Sequence, residues 1–107
     1  MKPIVVLTTV GADFDARALA HALVETRVAA CVNILPVMHS VYRWEGRVTG
    51  DDEQLLVMKT TDARVEELRD ELFKRHPYEV PEFVVLAVES VSEAYGAWVL
   101  ESVGAPA

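Results

Sequence analysis

The chain has 107 residues, 51% of them hydrophobic, and a net charge of −7, which suits one folded domain spanning residues 1–107 and argues against intrinsic disorder. Ten basic residues are scattered among 17 acidic ones, so no basic stripe is offered to nucleic acid. The longest early apolar run, residues 4–10, reads as neither an export signal nor a membrane span, and the lone cysteine, Cys31, suits a reducing compartment, so we expect a cytoplasmic protein with no nucleic-acid or membrane partner.

Residues 2–9 are short and β-branched and predict a first strand that ends at Gly11. Asp13 can cap a helix over 14–27, whose apolar positions Ala16, Leu19, Ala20, Leu23 and Val28 recur at helical spacing. Residues 30–44 resume a strand pattern, in which Pro36 requires an edge or a bulge because it has no N–H. Glu45-Gly46 breaks it, and after a polar stretch over 47–52 a third strand over 53–60 can pair back as a hairpin.

A second helix follows at once, with Val65, Leu68 and Leu72 as its stripe and Glu71–Arg75 and Asp70–Lys74 as i,i+4 pairs. Pro77 disfavours helical geometry at His76 and stops it. Residues 83–88 make a fourth strand, and Ser90-Val91-Ser92-Glu93 fits a capping box opening a last helix that carries Tyr95, Trp98 and Val99.

The order is βαββαβ plus a terminal helix, an α+β, ferredoxin-like pattern with an antiparallel sheet in the order 4-1-3-2 and two helices on one face. A second strand running from 30 to 44 far exceeds the usual ~5–6 residues, so the hairpin must overhang its sheet. The overhang carries Val41, Tyr42 and Trp44, and such a ribbon with unpaired edges calls for cover by another chain. A closed homo-oligomer with hairpins docked on neighbours is therefore expected.

For chemistry, Cys31 and His76 are the pair to test as metal ligands, since thiolate and imidazole suit copper and zinc. Their bland alternatives are a small buried hydrophobe and a helix-capping group. His21 and His39 have no companion at a metal spacing, and Asp51-Asp52-Glu53 lacks the glycine-spaced pattern of a calcium loop and reads as a solvated hairpin end. Lys59 lies in an otherwise apolar strand and needs a carboxylate, with Glu53, Glu79 and Glu82 as possible mates, or a ligand, unless its ammonium reaches water. No GxSxG, HExxH, CxxC, P-loop or GxGxxG motif occurs, so no enzymatic activity is expected.

The segments Ala30-Cys31-Val32-Asn33-Ile34, Ser40-Val41-Tyr42-Arg43-Trp44-Glu45-Gly46, Lys59-Thr60 and His76-Pro77-Tyr78-Glu79-Val80-Pro81-Glu82 closely resemble the CutA family of divalent-cation tolerance proteins. The resemblance runs from the first strand to Tyr95 and Trp98. It implies a homotrimer with hairpins paired between subunits, similar to PII signalling proteins, and binding of copper and other divalent cations without a cofactor needed for folding. Carried over by position, His76 matches the histidine of the HPY motif and Cys31 the cysteine of the ACVNI motif. Thr8 and Arg75 stand where some bacterial relatives carry a further cysteine and histidine, which removes two donors and adds a repelling charge.

Pro77 and Pro81 bracket a stiff extended segment, which we expect to line a cleft between subunits with Asn33, Trp44, Lys59, Tyr78 and Glu82 on its wall. The same five residues would equally serve a packed trimer interface that binds nothing. Besides metal binding, the open alternative is a PII-like signalling or scaffold trimer that takes a small anionic ligand at its clefts through Lys59.

Overall fold

In a computed structural model the described residues are 1–104. Strands β1 (Pro3–Gly11), β2 (Cys31–Ile34), β3 (Met38–Trp44), β4 (Arg47–Thr61) and β5 (Val84–Ala87) alternate with helices α1 (Ala16–Glu25), α2 (Val65–Arg75) and α3 (Glu93–Val103). The sheet has the order β2-β4-β1-β5 with all neighbours antiparallel, and β3 pairs with β4 beyond the end of β2. This is the expected ferredoxin-like arrangement and strand order.

Two boundaries differ from the sequence reading. The expected continuous second strand is divided at residues 35–37, around Pro36, into β2 and β3. The long unbroken strand is β4, whose 15 residues begin at Arg47, so the polar stretch 47–52 is strand and not connection. Those side chains look like a loop in the sequence because they are exposed on both faces. What makes them a strand is the two-residue turn at Glu45 and Gly46, both with positive φ (50° and 79°), the geometry that matches the twist of a hairpin. Trp44 thus faces Arg47.

Alternation on β1 and β4 buries one side of the sheet. Ile4, Val6, Val10, Leu56 and Met58 meet Leu19 and Leu23 of α1 and Leu68 and Leu72 of α2 in one core. The opposite side presents Val5, Leu7, Leu55, Val57, Val84 and Leu86, half-buried or exposed, with Lys59 among them. Val99 and Val103 of α3 form a smaller cluster with Ala30.

The caps fall elsewhere than the sequence suggests. Asp15, not Asp13, caps α1 by accepting from the Ala18 amide at 3.0 Å. The expected capping box is absent: α3 begins at Glu93 after Ser92, which makes no side-chain cap. Glu71 accepts from Arg75 as expected, at 3.2 Å, but Lys74 also bonds Glu71, at 3.2 Å, in place of Asp70.

After α1 the chain turns through Arg27 at φ 63°, while the amides of Val28 and Ala29 both bond the Leu23 carbonyl. A left-handed conformation there favours glycine. Arg27→Gly should therefore leave the fold intact and raise stability by about 0.5–1 kcal/mol, read as an upward shift of the urea midpoint. Leu68→Ala, in contrast, empties a fully buried position and should cost about 2–5 kcal/mol in the same assay.

Candidate functional site

β1 ends at Gly11, opposite Glu53, and past that point β4 is flanked only by β3. Glu53 faces Met38 on its other side, so it sits where the sheet narrows from three strands to two. The Pro77–Glu82 segment, between α2 and β5, passes over this step. Together they border an open cleft of about 1410 Å³ whose lining residues include Phe14, Tyr42, Trp44 and Tyr78 and the acidic residues Asp13, Asp51, Glu53, Glu79 and Glu82, whereas the Asp52 carboxylate turns to the other face of the hairpin and pairs with His39 at 2.9 Å. No Lys or Arg is among the described residues lining the cleft.

Tyrosines order two of these carboxylates. The Tyr78 hydroxyl donates to Glu53 Oε2 at 2.7 Å, and the Tyr42 hydroxyl donates to Asp51. Period-2 geometry places Tyr42, Trp44, Asp51 and Glu53 on one face of the hairpin. Glu53 is 7% exposed, so the phenol supplies a bond that water cannot readily replace. Burial, the Glu53 bond and its charge push the Tyr78 hydroxyl strongly up, keeping it a donor at any physiological pH. Glu82 is also raised above the usual carboxylate range, first by burial and then by Glu53's charge.

His76 holds the segment in place. It ends α2, with its amide bonded to the Leu72 carbonyl at 2.8 Å. Its ring turns inward: Nε2 lies 2.8 Å from the Thr9 carbonyl, and Nδ1 accepts from the Tyr78 amide at 3.1 Å. The His76 and Tyr78 rings lie 4.9 Å apart. Burial lowers the imidazole pKa, outweighing the opposing Thr9 bond and the Glu53 charge.

Cys31 and His76 do not share a place in the single chain. Cys31 pairs with Lys59, which in turn faces Val5, whereas His76 bonds Thr9, four residues further along β1, or about 13 Å at the usual rise. Neither ring nitrogen of His76 is free, and the Cys31 thiol lies 3.8 Å from Asn33 Oδ1. Among the described residues no group of three or more His, Cys, Asp or Glu converges to hold a metal ion. Any cation held by one chain would therefore need water or another chain to complete its shell.

The five expected cleft residues separate into two groups. Trp44, Tyr78 and Glu82 line the cleft, whereas Lys59 donates to Asn33 beside Cys31 on the open sheet face. Lys59 finds an amide and not one of the three glutamates considered for it. Sequence reasoning missed Glu53 by reading residues 51–53 as a solvated hairpin end. The available signal was its alternation with Leu55, Val57 and Lys59, which assigns all four to one face.

The architecture defines a ferredoxin-like protein with an acidic, aromatic cleft at the root of a projecting hairpin. Residues 4–102 match the family model described as CutA1 divalent ion tolerance protein. A divalent-cation tolerance protein CutA of Thermus thermophilus is 46% identical over 100 residues, covering 94% of this chain and 97% of that relative. The human Protein CutA is 43% identical over 84 residues, covering 78% of this chain but only 47% of its own length. A solved divalent cation tolerance protein, also from Thermus thermophilus, superposes with a TM-score of 0.91 at 45% identity, covering 95% of this chain and 99% of that one. The chain belongs to the CutA family of divalent-cation tolerance proteins.

Because Glu53 is buried on its phenol partner, Tyr78→Phe should cost about 1–3 kcal/mol, the penalty of an unsatisfied buried acceptor, measured by urea unfolding at neutral pH. A lowered folded-state pKa means that the folded chain binds protons at His76 less readily than the unfolded one. The contribution of His76 to stability is thus present above the unfolded value of about 6.5 and is lost as pH falls through the folded value. Urea midpoints should decline through that window in the wild type and less in His76→Gln.

Proposed function

We propose that the protein is a non-enzymatic, cytoplasmic homotrimer of metal tolerance that binds divalent cations, copper foremost, with Glu53 and Glu82 of the cleft among its donors. The observation that carries this reading is electrostatic. A buried carboxylate, Glu53, and a second whose pKa it helps to raise, Glu82, share a cleft without a described basic lining residue. A divalent cation would relieve their repulsion, and carboxylates are donors for hard and borderline ions.

The trimer is supported by what a single chain leaves uncovered. Val41 and Val48 of the hairpin are 68% and 66% exposed, and the open sheet face adds Val84 and Leu86, an amount of apolar surface that suits burial between subunits. A neighbour's side chains would also supply the donors that one chain lacks. Copper rests on the family's resemblance at Cys31 and His76, and the cytoplasmic setting on the lone cysteine.

Native mass spectrometry with Cu(II), Zn(II) and Mn(II) tests this directly. Wild-type trimer should take up cation stoichiometrically, and Glu82→Gln should weaken uptake about tenfold, the effect of losing roughly 1.4 kcal/mol of binding. Cys31→Ala and His76→Ala decide whether those side chains join the site in the assembly. Uptake that is equal and nonspecific in wild type and Glu82→Gln overturns the reading.

Lys59 favours a second reading, because its ammonium sits on the open sheet face with the Asn33 amide as its hydrogen-bond partner. It suits a PII-like signalling or scaffold trimer that binds a small anion. A rise in Tm with a nucleotide or dicarboxylate, lost in Lys59→Met, would support it.

A further inference from the structure

The two faces of the β3–β4 hairpin differ in kind. Val41 and Val48 lie on the outer face with His39 and Asp52, whereas Tyr42, Trp44, Asp51 and Glu53 lie on the face that borders the cleft. Trp44 pairs with Arg47, six positions before Glu53 on β4, so this row extends along about 20 Å at the usual strand rise. Trp44 and Tyr42 are 45% and 37% exposed, which leaves ring surface uncovered. Arg47 stands opposite Trp44 in the register but is not among the residues that line the cleft.

Glu53 keeps a bonding position open. It is 7% exposed, Tyr78 donates to its Oε2, and no described residue donates to Oε1, although a carboxylate can accept at both oxygens. A desolvated carboxylate with an unfilled oxygen calls for a donor. A metal ion held by one chain needs several oxygens converging to about 2–2.6 Å, and among the described residues no group of three or more His, Cys, Asp or Glu is placed to hold one. The acidic residues are instead distributed around about 1410 Å³ of open cleft, with Tyr42, Trp44 and Tyr78 on the same walls. Spaced carboxylates and exposed rings together suit a cation that carries separated charges on an apolar chain. Its N–H groups donate to the carboxylates, and its ammonium and methylene groups lie on the ring faces.

We propose that the cleft binds a linear aliphatic polyamine, with Glu53 and Asp51 at the root of the hairpin and Glu82 of the overlying segment receiving its ammonium groups, and Tyr42 and Trp44 receiving its methylene chain and outer ammonium. The outer face with Val41 and Val48 stays free for contact between subunits, so occupancy of the cleft and assembly draw on different faces of one ribbon. The site is shared with the preceding reading but does not rest on it, because a polyamine brings its own hydrogen-bond donors and needs no convergent set of ligands.

Isothermal titration calorimetry of the full, metal-free chain with spermidine, at neutral pH and about 150 mM salt to screen general attraction, tests this. Spermidine should bind saturably, one per chain. Trp44→Leu keeps the net charge, so a weakening of about threefold there reports a lost contact between ring and cation and not the pull of an acidic chain. Glu82→Gln should weaken binding at least as much, whereas Glu66→Gln, an equal change of charge at an exposed position of α2, should leave it unchanged. Absence of saturable binding, or equal affinity in wild type, Trp44→Leu and Glu66→Gln, overturns the proposal. Should Trp44→Leu fail to fold, equal affinity in Glu82→Gln and Glu66→Gln overturns it. Saturation by trilysine but not by spermidine overturns it in favour of a basic peptide. Titration with Mn(II) separates this site from the metal reading: spermidine binding without Mn(II) uptake upholds the polyamine site and overturns that reading, and Mn(II) uptake without spermidine binding does the reverse.

Discussion

The points at which the neighbours of β4 stop set most of the rest of the molecule. β1 accompanies it from Thr61 to Glu53, β2 from Lys59 to Leu56, and β3 from Glu53 to Arg47. Where β4 has partners on both sides its side chains alternate between the helix-covered core and a half-buried face; beyond Glu53 they are exposed. The cleft exists because a sheet that loses a strand leaves a step, and the proline-bracketed segment after α2 roofs that step.

A carboxylate buried at the step runs against the usual preference for apolar groups inside, and local consistency is usually broken at places of function. Here the departure is matched by specific partners. Tyr78 satisfies Glu53, His76 fixes Tyr78, and Thr9 fixes His76, so the polar group at the cleft floor is tied back to the central strand pair. On the far side of the step, Gln54 donates to the carbonyls of Gly11 and Phe14 at 3.0 and 3.2 Å, which holds the loop leading from β1 into α1. Adjacent residues of β4 thus secure both rims.

The sequence carries the fold where burial imposes a period. The 3.6-residue stripe through Leu19, Leu23, Leu68 and Leu72 and the β-branched run of β1 specify α1, α2 and the central strand. Residues 47–52 have no such stripe, because both their faces meet solvent, and strand structure there follows from hairpin registration. The cap of α1 lies two residues from its expected place because Asp13 and Asp15 are equally suited by type, and only the path of the chain decides between them. The same limit applies to the candidate site. Trp44, Tyr78 and Glu82 line one cleft of the single chain, but Lys59 and Asn33 lie on a different part of the sheet, a distinction that depends on strand register and not on residue type. His76 stands out in sequence, yet its bonding to two backbone groups becomes visible only when β1 is brought beside the end of α2.

The register that joins Pro3 to Thr61 also bears on how the chain reaches this state. The β3–β4 hairpin closes through two residues and can form within about 1–10 μs, whereas β1 must find a strand more than forty positions away, a contact of high sequence separation that folds slowly. During any interval in which the hairpin is formed and β4 lacks β1, two lines of unpaired amides and carbonyls are on display. The outcome of that interval depends on protein concentration, since the same edges can recruit a correct partner or an indiscriminate one. Ordered assembly is in this sense a kinetic competition that begins before any subunit is finished.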